Sequence, residues 1–161
     1  MKRYSIWILF SFLFLNGCGF HLRGIQEMPT WLQDVTVVVK QADNAWESIL
    51  YNQLRASHVS IVNDPTQARY WLIIEKEFQK ENIVSISSGS SPRQYQLIYT
   101  VQFSLQRAKG EEAIPVTSII VTRALTVNND RILGSNDEAE KLIQEMRKDA
   151  AIQIIYRLGS K

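Results

Sequence analysis

From Gln94 to Gln106 the chain alternates without a break. Tyr95, Leu97, Tyr99, Val101, Phe103 and Leu105 fall on one parity. Gln94, Gln96, Ile98, Thr100, Gln102, Ser104 and Gln106 fall on the other. A period of two belongs to a β-strand, because a helix repeats every 3.6 residues. One apolar face and one wetter face indicate an antiparallel strand with a core on one side. Such a strand needs neighbours in a sheet and a layer over its apolar face, so the rest of the chain must supply both.

The neighbours are readable on either side. Val35 to Lys40 is a short β-branched run and reads as a buried strand. Asp43 or Asn44 can then cap a helix, Asn44-x-x-Glu47 has capping-box spacing, and Trp46, Ile49, Leu50 and Leu54 make a helical stripe that fades near Ser57–His58. A strand followed by a crossover helix predicts a parallel next strand. Asn63-Asp64-Pro65 is a turn. A second strand starts near Arg69 and continues to about Ser87. Tyr70, Leu72, Ile74 and Phe78 share its core face, Lys76 interrupts them, and Trp71 and Ile73 face the other way.

Ser87 to Pro92 reads as a loop tip. Arg107 to Glu112, with Gly110, reads as a hairpin loop. The last strand is expected from about Val116 to Val127, with Ile119, Val121, Leu125 and Val127 on one face and Arg123 intruding. Ser135-x-x-Glu138 then opens a long helix. Its stripe is Ala139, Leu142, Ile143, Met146, Ala150, Ile154 and Leu158, and Gly159 ends it. The expected fold class is α+β: two α-helices packed on a four-stranded, mostly antiparallel sheet, in the order β-α-β-β-β-α.

The first residues obey different rules. Lys2 and Arg3 precede an apolar run from Ile6 to Leu15, and Leu15-Asn16-Gly17-Cys18 follows at once. A positive start, a short apolar core and a small residue at the cut form a secretory signal. An uncleaved membrane anchor is the alternative, but it needs about 20 apolar residues. Residues 1–17 are therefore expected to be a cleaved signal peptide, residues 18–34 an acylated N-terminus and tether, and residues 35–161 a single α+β periplasmic domain.

Cys18 is the only cysteine of the 161 residues. It forms no internal disulfide, and its position straight after the apolar run makes it the expected lipid attachment site. Leu15-Asn16-Gly17-Cys18 resembles the lipobox of bacterial lipoproteins, with Asn16 a mild departure. That resemblance implies a covalent N-acyl and S-diacylglycerol lipid on Cys18. Two or more chains hold a protein on a membrane. Gly19, rather than Asp, at the next position implies transfer to the outer membrane.

Loss of the signal also removes Lys2 and Arg3, taking the 18 basic residues to 16, equal to the 16 acidic ones. The mature chain has no global field to recruit nucleic acid or anionic lipid, so any recognition of anions must be local.

Catalytic sets are missing. His21 and His58 are the only histidines, and neither has a Cys or carboxylate cluster at ligand spacing, so no metal site is expected. There is no Gly-x-Ser-x-Gly elbow and no phosphate-cradling glycine loop. Glu75, Glu77, Glu81, Glu138 and Glu140 are most simply solvated. The chain is expected to be a binding or structural protein, not an enzyme, with no cofactor beyond the lipid.

Cys18-Gly19-Phe20-His21-Leu22-Arg23-Gly24 strongly resembles the mature start of the LptE family of lipopolysaccharide-assembly lipoproteins. Tyr95-Gln96-Leu97 with Thr100-Val101 is similar too. So is the stretch from Arg123 through Asn128-Asn129 and Leu133 to Glu138, Ile143, Glu145-Met146, Asp149-Ala150-Ala151 and Arg157-Leu158. The resemblance implies a lipid-anchored outer-membrane protein on the periplasmic side. It would plug the lumen of the LptD β-barrel translocon, help assemble it, and bind lipopolysaccharide in passage. Family loop positions that carry basic residues fall on Ser88 and Ser135 here, both neutral. Arg93 and Arg131 stand close by and are the candidate lipopolysaccharide contacts. The alternative is a stand-alone lipoprotein that carries a lipid or chaperones an envelope component.

Overall fold

The computed structural model describes residues 28–86, 92–126 and 132–160. Cys18, Ser88, Val127 and Arg131 lie outside the described residues. The described chain forms β1 (Val35–Gln41), α1 (Ala45–Ala56), β2 (Tyr70–Ile86), β3 (Pro92–Arg107), β4 (Glu112–Thr126) and α2 (Ile132–Gly159). This is the expected element order. The strands lie side by side in the order β1-β2-β3-β4. β1 pairs β2 in parallel and the other pairs are antiparallel.

The core sits between one face of this sheet and the two helices. Leu97, Tyr99, Val101, Phe103 and Leu105 of β3 are buried there, as their alternation predicts. Val35 and Val37, Leu72 and Ile74, and Val121 and Leu125 join them from the other strands. Trp46, Leu50 and Leu54 come from α1, and Met146, Ala150, Ala151, Ile154 and Leu158 from α2. Leu32, ahead of β1, is fully buried in the same cluster.

β2 departs from the simple alternation. Its register with β3 slips between Ile74, opposite Phe103, and Lys76, opposite Gln102. Glu75 is the extra residue of a β-bulge, which reverses the facing of the residues from Lys76 to Ile83. Glu75 points outward, where it accepts hydrogen bonds from Ser104 Oγ at 2.9 Å and Lys40 Nζ at 2.8 Å. Glu77 therefore takes the core-side place opposite Val101, and Phe78 turns outward opposite Thr100. Phe78 is 46% exposed, which corrects its expected place in the core. Lys76 lies outward with it, its ammonium 5.9 Å from the Phe78 ring centre.

β4 starts four residues before the expected Val116. Ile114 pairs with Leu105 and Thr117 with Phe103, so one extra residue is accommodated at Pro115–Val116. Proline has no N–H to give a ladder, and an edge strand with a bulge tolerates it. Gly110 holds φ at 84° in the tight β3–β4 turn, where its N–H bonds Arg107 O at 2.8 Å.

Neither capping box forms as its spacing predicts. Asn44 is itself helical and its side chain makes no cap. Asp43, the other expected cap of α1, acts as one, its Oδ1 accepting the Ala45 N–H at 2.8 Å. α2 begins at Ile132, so Ser135 lies inside its first turn and not before it. The end of α1 is a Schellman turn. His58, at φ 58°, donates to Arg55 O at 3.0 Å, and Val59 N donates to Leu54 O at 3.0 Å.

Candidate functional site

The two ends of the sheet differ. At one end, Ile86 pairs with Pro92 and Gln94 with Thr126. Arg93 is the second residue of β3 by its backbone, so its position lies at this end of the sheet. Arg131 lies outside the described residues.

α2 is steered toward that end by a polar knot that the sequence did not reveal. Glu77, put inside by the bulge, is its centre. Asp43 N–H donates to Glu77 Oε1 at 2.8 Å and Trp46 Nε1 to Glu77 Oε2 at 2.7 Å. The Tyr99 hydroxyl donates to the same Oε2. Arg147 of α2 reaches in from the other side. Its Nε donates to Tyr99 Oη at 3.2 Å, and its Nη2 stands 3.4 Å from Glu77 Oε1 and 3.2 Å from Asp43 Oδ2. The Trp46 and Tyr99 rings stack with centres 6.5 Å apart. The Arg147 and Glu77 side chains are only 12% and 16% exposed. Glu77 was expected on a solvated face, and the bulge is the physical reason that it is not.

The electrostatics follow from this packing. Burial pushes the Glu77 carboxyl up. Donors from Tyr99, Trp46 and Asp43 N–H and the Arg147 charge overcome that push and hold it below its ordinary value. Burial, then the hydrogen bond to Glu77, pushes Tyr99 up to about 12. Burial lowers Arg147, but its bond to Tyr99 and the nearby acidic groups outweigh this and raise it. With Glu77 held ionised, Tyr99 held neutral and Arg147 held charged, the knot reads as a structural tie between α1, α2 and the sheet. A second tie joins α2 to β4, where Arg123 pairs with Asp149. This explains the basic residue intruding on the core face of β4.

The face of the sheet away from the helices is a different surface. Phe78, Thr100 and Ile120 lie in register across three strands, and Lys80, Ile98 and Thr122 form the next row. Ile120 is 60% exposed. Gln94, Gln96, Gln102 and Gln106 share this face through the parity of β3. Such a mixture of amides, hydroxyls and apolar side chains suits broad contact with a macromolecular surface.

Among the described residues no group of three or more His, Asp or Glu side chains is placed to hold a metal. None of the described helices is long and apolar enough to cross a membrane.

Comparison with known proteins agrees with this geometry. The family profile LptE, described as lipopolysaccharide-assembly, matches residues 32–158. The LPS-assembly lipoprotein LptE of Pectobacterium atrosepticum is 30% identical over 158 residues, covering 98% of this chain and 85% of that one. The LPS-assembly lipoprotein LptE of Yersinia enterocolitica is 32% identical over 143 residues, covering 88% and 68%. The fold is also that of lipoprotein B from Nitrosomonas europaea, with a TM-score of 0.71 at 24% identity, covering 88% of this chain and 91% of that one. Rare lipoprotein B from Shewanella oneidensis gives a TM-score of 0.68 at 21% identity, covering 80% and 95%. The matched region takes in all four strands, α1 and all but the last residue of α2, and on that basis this chain belongs to the LptE family of lipopolysaccharide-assembly lipoproteins.

Proposed function

We propose that this protein is held in the outer membrane by acyl chains on Cys18, occupies the lumen of an LptD-type β-barrel translocon as a plug, and binds lipopolysaccharide on its way to the cell surface. The family match over residues 32–158 carries this reading. A large barrel has a lumen to be filled or lined. A plug wants a solid interior and a broad outer surface. Here Trp46, Phe103, Leu72, Ile74 and Met146 are fully buried and fill the layer between sheet and helices. The outward sheet face supplies the broad surface, and the mature chain is neutral overall.

The lipopolysaccharide contact is assigned to Arg93 and Arg131. Guanidinium groups pair bidentately with phosphate. The role is binding and structural, without a catalytic step.

The test is affinity purification of the tagged, lipidated protein from its own membranes in mild detergent. A large, heat-modifiable barrel recovered at near one-to-one ratio is the expected result. Recovery of the lipoprotein alone, with lipid extracted from its interior, would replace the plug by a carrier.

A further inference from the structure

The opposite end of the domain, where β2 begins and the β3–β4 turn lies, carries a second cluster of cations. The segment ahead of β1 brings Trp31 against Tyr70, their ring centres 5.3 Å apart and tilted by 58°. These rings wall a cleft of about 570 Å³ that is also lined by Arg69, Arg107, Lys109 and Glu111. A smaller recess of about 360 Å³ continues from it past Glu112. The larger cleft therefore gathers three cations and one carboxylate on a chain whose formal charge is zero once Lys2 and Arg3 are removed.

The frame of this cleft is tied by backbone. Arg69 N donates to Asp34 O at 2.8 Å, and Ala108 N donates to Arg69 O at 3.0 Å. The cations themselves stay available. Arg69 leans on Asp34 at 3.1 Å yet is 74% exposed, and Arg107 pairs with Glu111 at 2.6 Å yet is 49% exposed. The Lys109 ammonium has no hydrogen-bond or ion-pair partner among the described residues.

We propose that this end is a docking surface for the anionic head groups of membrane phospholipids, with Arg69, Arg107 and Lys109 taking the phosphate and Trp31 seated at the polar–apolar boundary. Three features favour this occupant. Clustered Arg and Lys attract anionic lipid near the surface. Trp and Tyr prefer the membrane interface because each has an apolar body and a polar tip. Trp31 also follows Cys18 by only thirteen residues. The ten chain steps from Cys18 to Met28 reach at most about 36 Å, so the cleft stays close to a bilayer that holds the acyl chains. This last point rests on the acylation proposed above.

The experiment places the mature, lipidated protein in phosphatidylcholine vesicles with or without phosphatidylglycerol, with brominated acyl chains as quencher. The difference between the wild-type protein and Trp31→Phe isolates the Trp31 signal. The expected result is an increase of about tenfold in the docked-to-free ratio with phosphatidylglycerol, lost at high salt and lost in the Arg69→Gln, Arg107→Gln, Lys109→Gln variant. An unchanged melting temperature shows that this variant is folded. Equal quenching in the two membranes overturns the proposal, as does a full phosphatidylglycerol effect in the triple variant. Displacement by inorganic phosphate identifies a free-anion pocket, and quenching only when lipopolysaccharide is added identifies a glycolipid site; either also overturns it. Intact mass on the same preparation reports the acyl chains separately. If they are absent, flotation with phosphatidylglycerol vesicles becomes the readout, and failure to float overturns the docking by itself.

Discussion

Arg147 of α2 and Glu77 of β2 stand 3.4 Å apart across the helix–sheet interface, with the Tyr99 hydroxyl bonded to both. Seventy residues of sequence separate them. The pair fixes α2 against the sheet at one height, and Asp43 and Trp46 tie α1 to the same point.

Removing Arg147 leaves Glu77 nearly buried without a cation, and removing Glu77 leaves the nearly buried Arg147 only the half-exposed Asp43. Glu77→Ala and Arg147→Ala are each expected to destabilise the fold by about 2–3 kcal/mol. The two together should cost less than the sum of the singles. Urea unfolding of the four corners of the double-mutant cycle measures this.

The same knot predicts how stability varies with pH. Glu77 titrates below its ordinary value in the fold, so its contribution is present above the unfolded value of 4.5 and lost as pH falls through the folded value. Tyr99 is raised, so its contribution is present below pH 10 and lost as pH rises from 10 to about 12. Chemical denaturation across pH should show both limbs. Glu77→Gln should weaken the acid limb, and Tyr99→Phe should flatten the alkaline one.

His58 holds a left-handed backbone at the end of α1. That conformation strains a side chain with a Cβ and costs glycine nothing. His58→Gly should stabilise the domain by about 1 kcal/mol, seen as a higher urea midpoint with an unchanged slope.

The bulge at Glu75 can be tested by comparing two phenylalanines. Phe78→Ala, on the outward face, should cost no more than about 0.5 kcal/mol. Phe103→Ala, in the core, should cost about 3–5 kcal/mol. Equal costs would mean that β2 keeps its alternation past Ile74.

Arg93→Ala with Arg131→Ala should weaken lipopolysaccharide binding by about tenfold at low salt and by less at high salt. Vesicle-free binding assays at two ionic strengths read this directly. Full binding by the double variant at both would remove these residues from the contact.

Much of the fold was legible because its signals are local. The parity of β3 is carried by neighbouring residues, and so are the stripe of Trp46, Leu50 and Leu54 and the stop at Gly159. What escaped depends on partners far along the chain. Lys76 in the expected core face of β2 was a visible warning, but only pairing with Gln102 shows that Glu75 bulges out and Glu77 turns in. Asn44-x-x-Glu47 and Ser135-x-x-Glu138 match a capping pattern without acting as one, because Asp43 caps α1 and α2 starts a turn earlier. In the candidate site, Arg93 and Arg131 were named from their sequence neighbourhood; the strand register puts the Arg93 backbone at the end where β3 begins, and Arg131 lies outside the described residues. Arg147 carried no signal at all, since an arginine on a long helix looks like any solvated residue until its acceptors are known.

The burial of α2 is uneven. Ala139, Leu142 and Ile143 are only half-buried, whereas Met146, Ala150, Ala151, Ile154 and Leu158 are sealed. Hydrogen exchange should therefore run as a gradient along this helix, fast before Arg147 and slow after it. The domain is built like a clamp with a tight heel and a compliant jaw. The half of α2 ahead of Arg147 is expected to open while the heel stays folded.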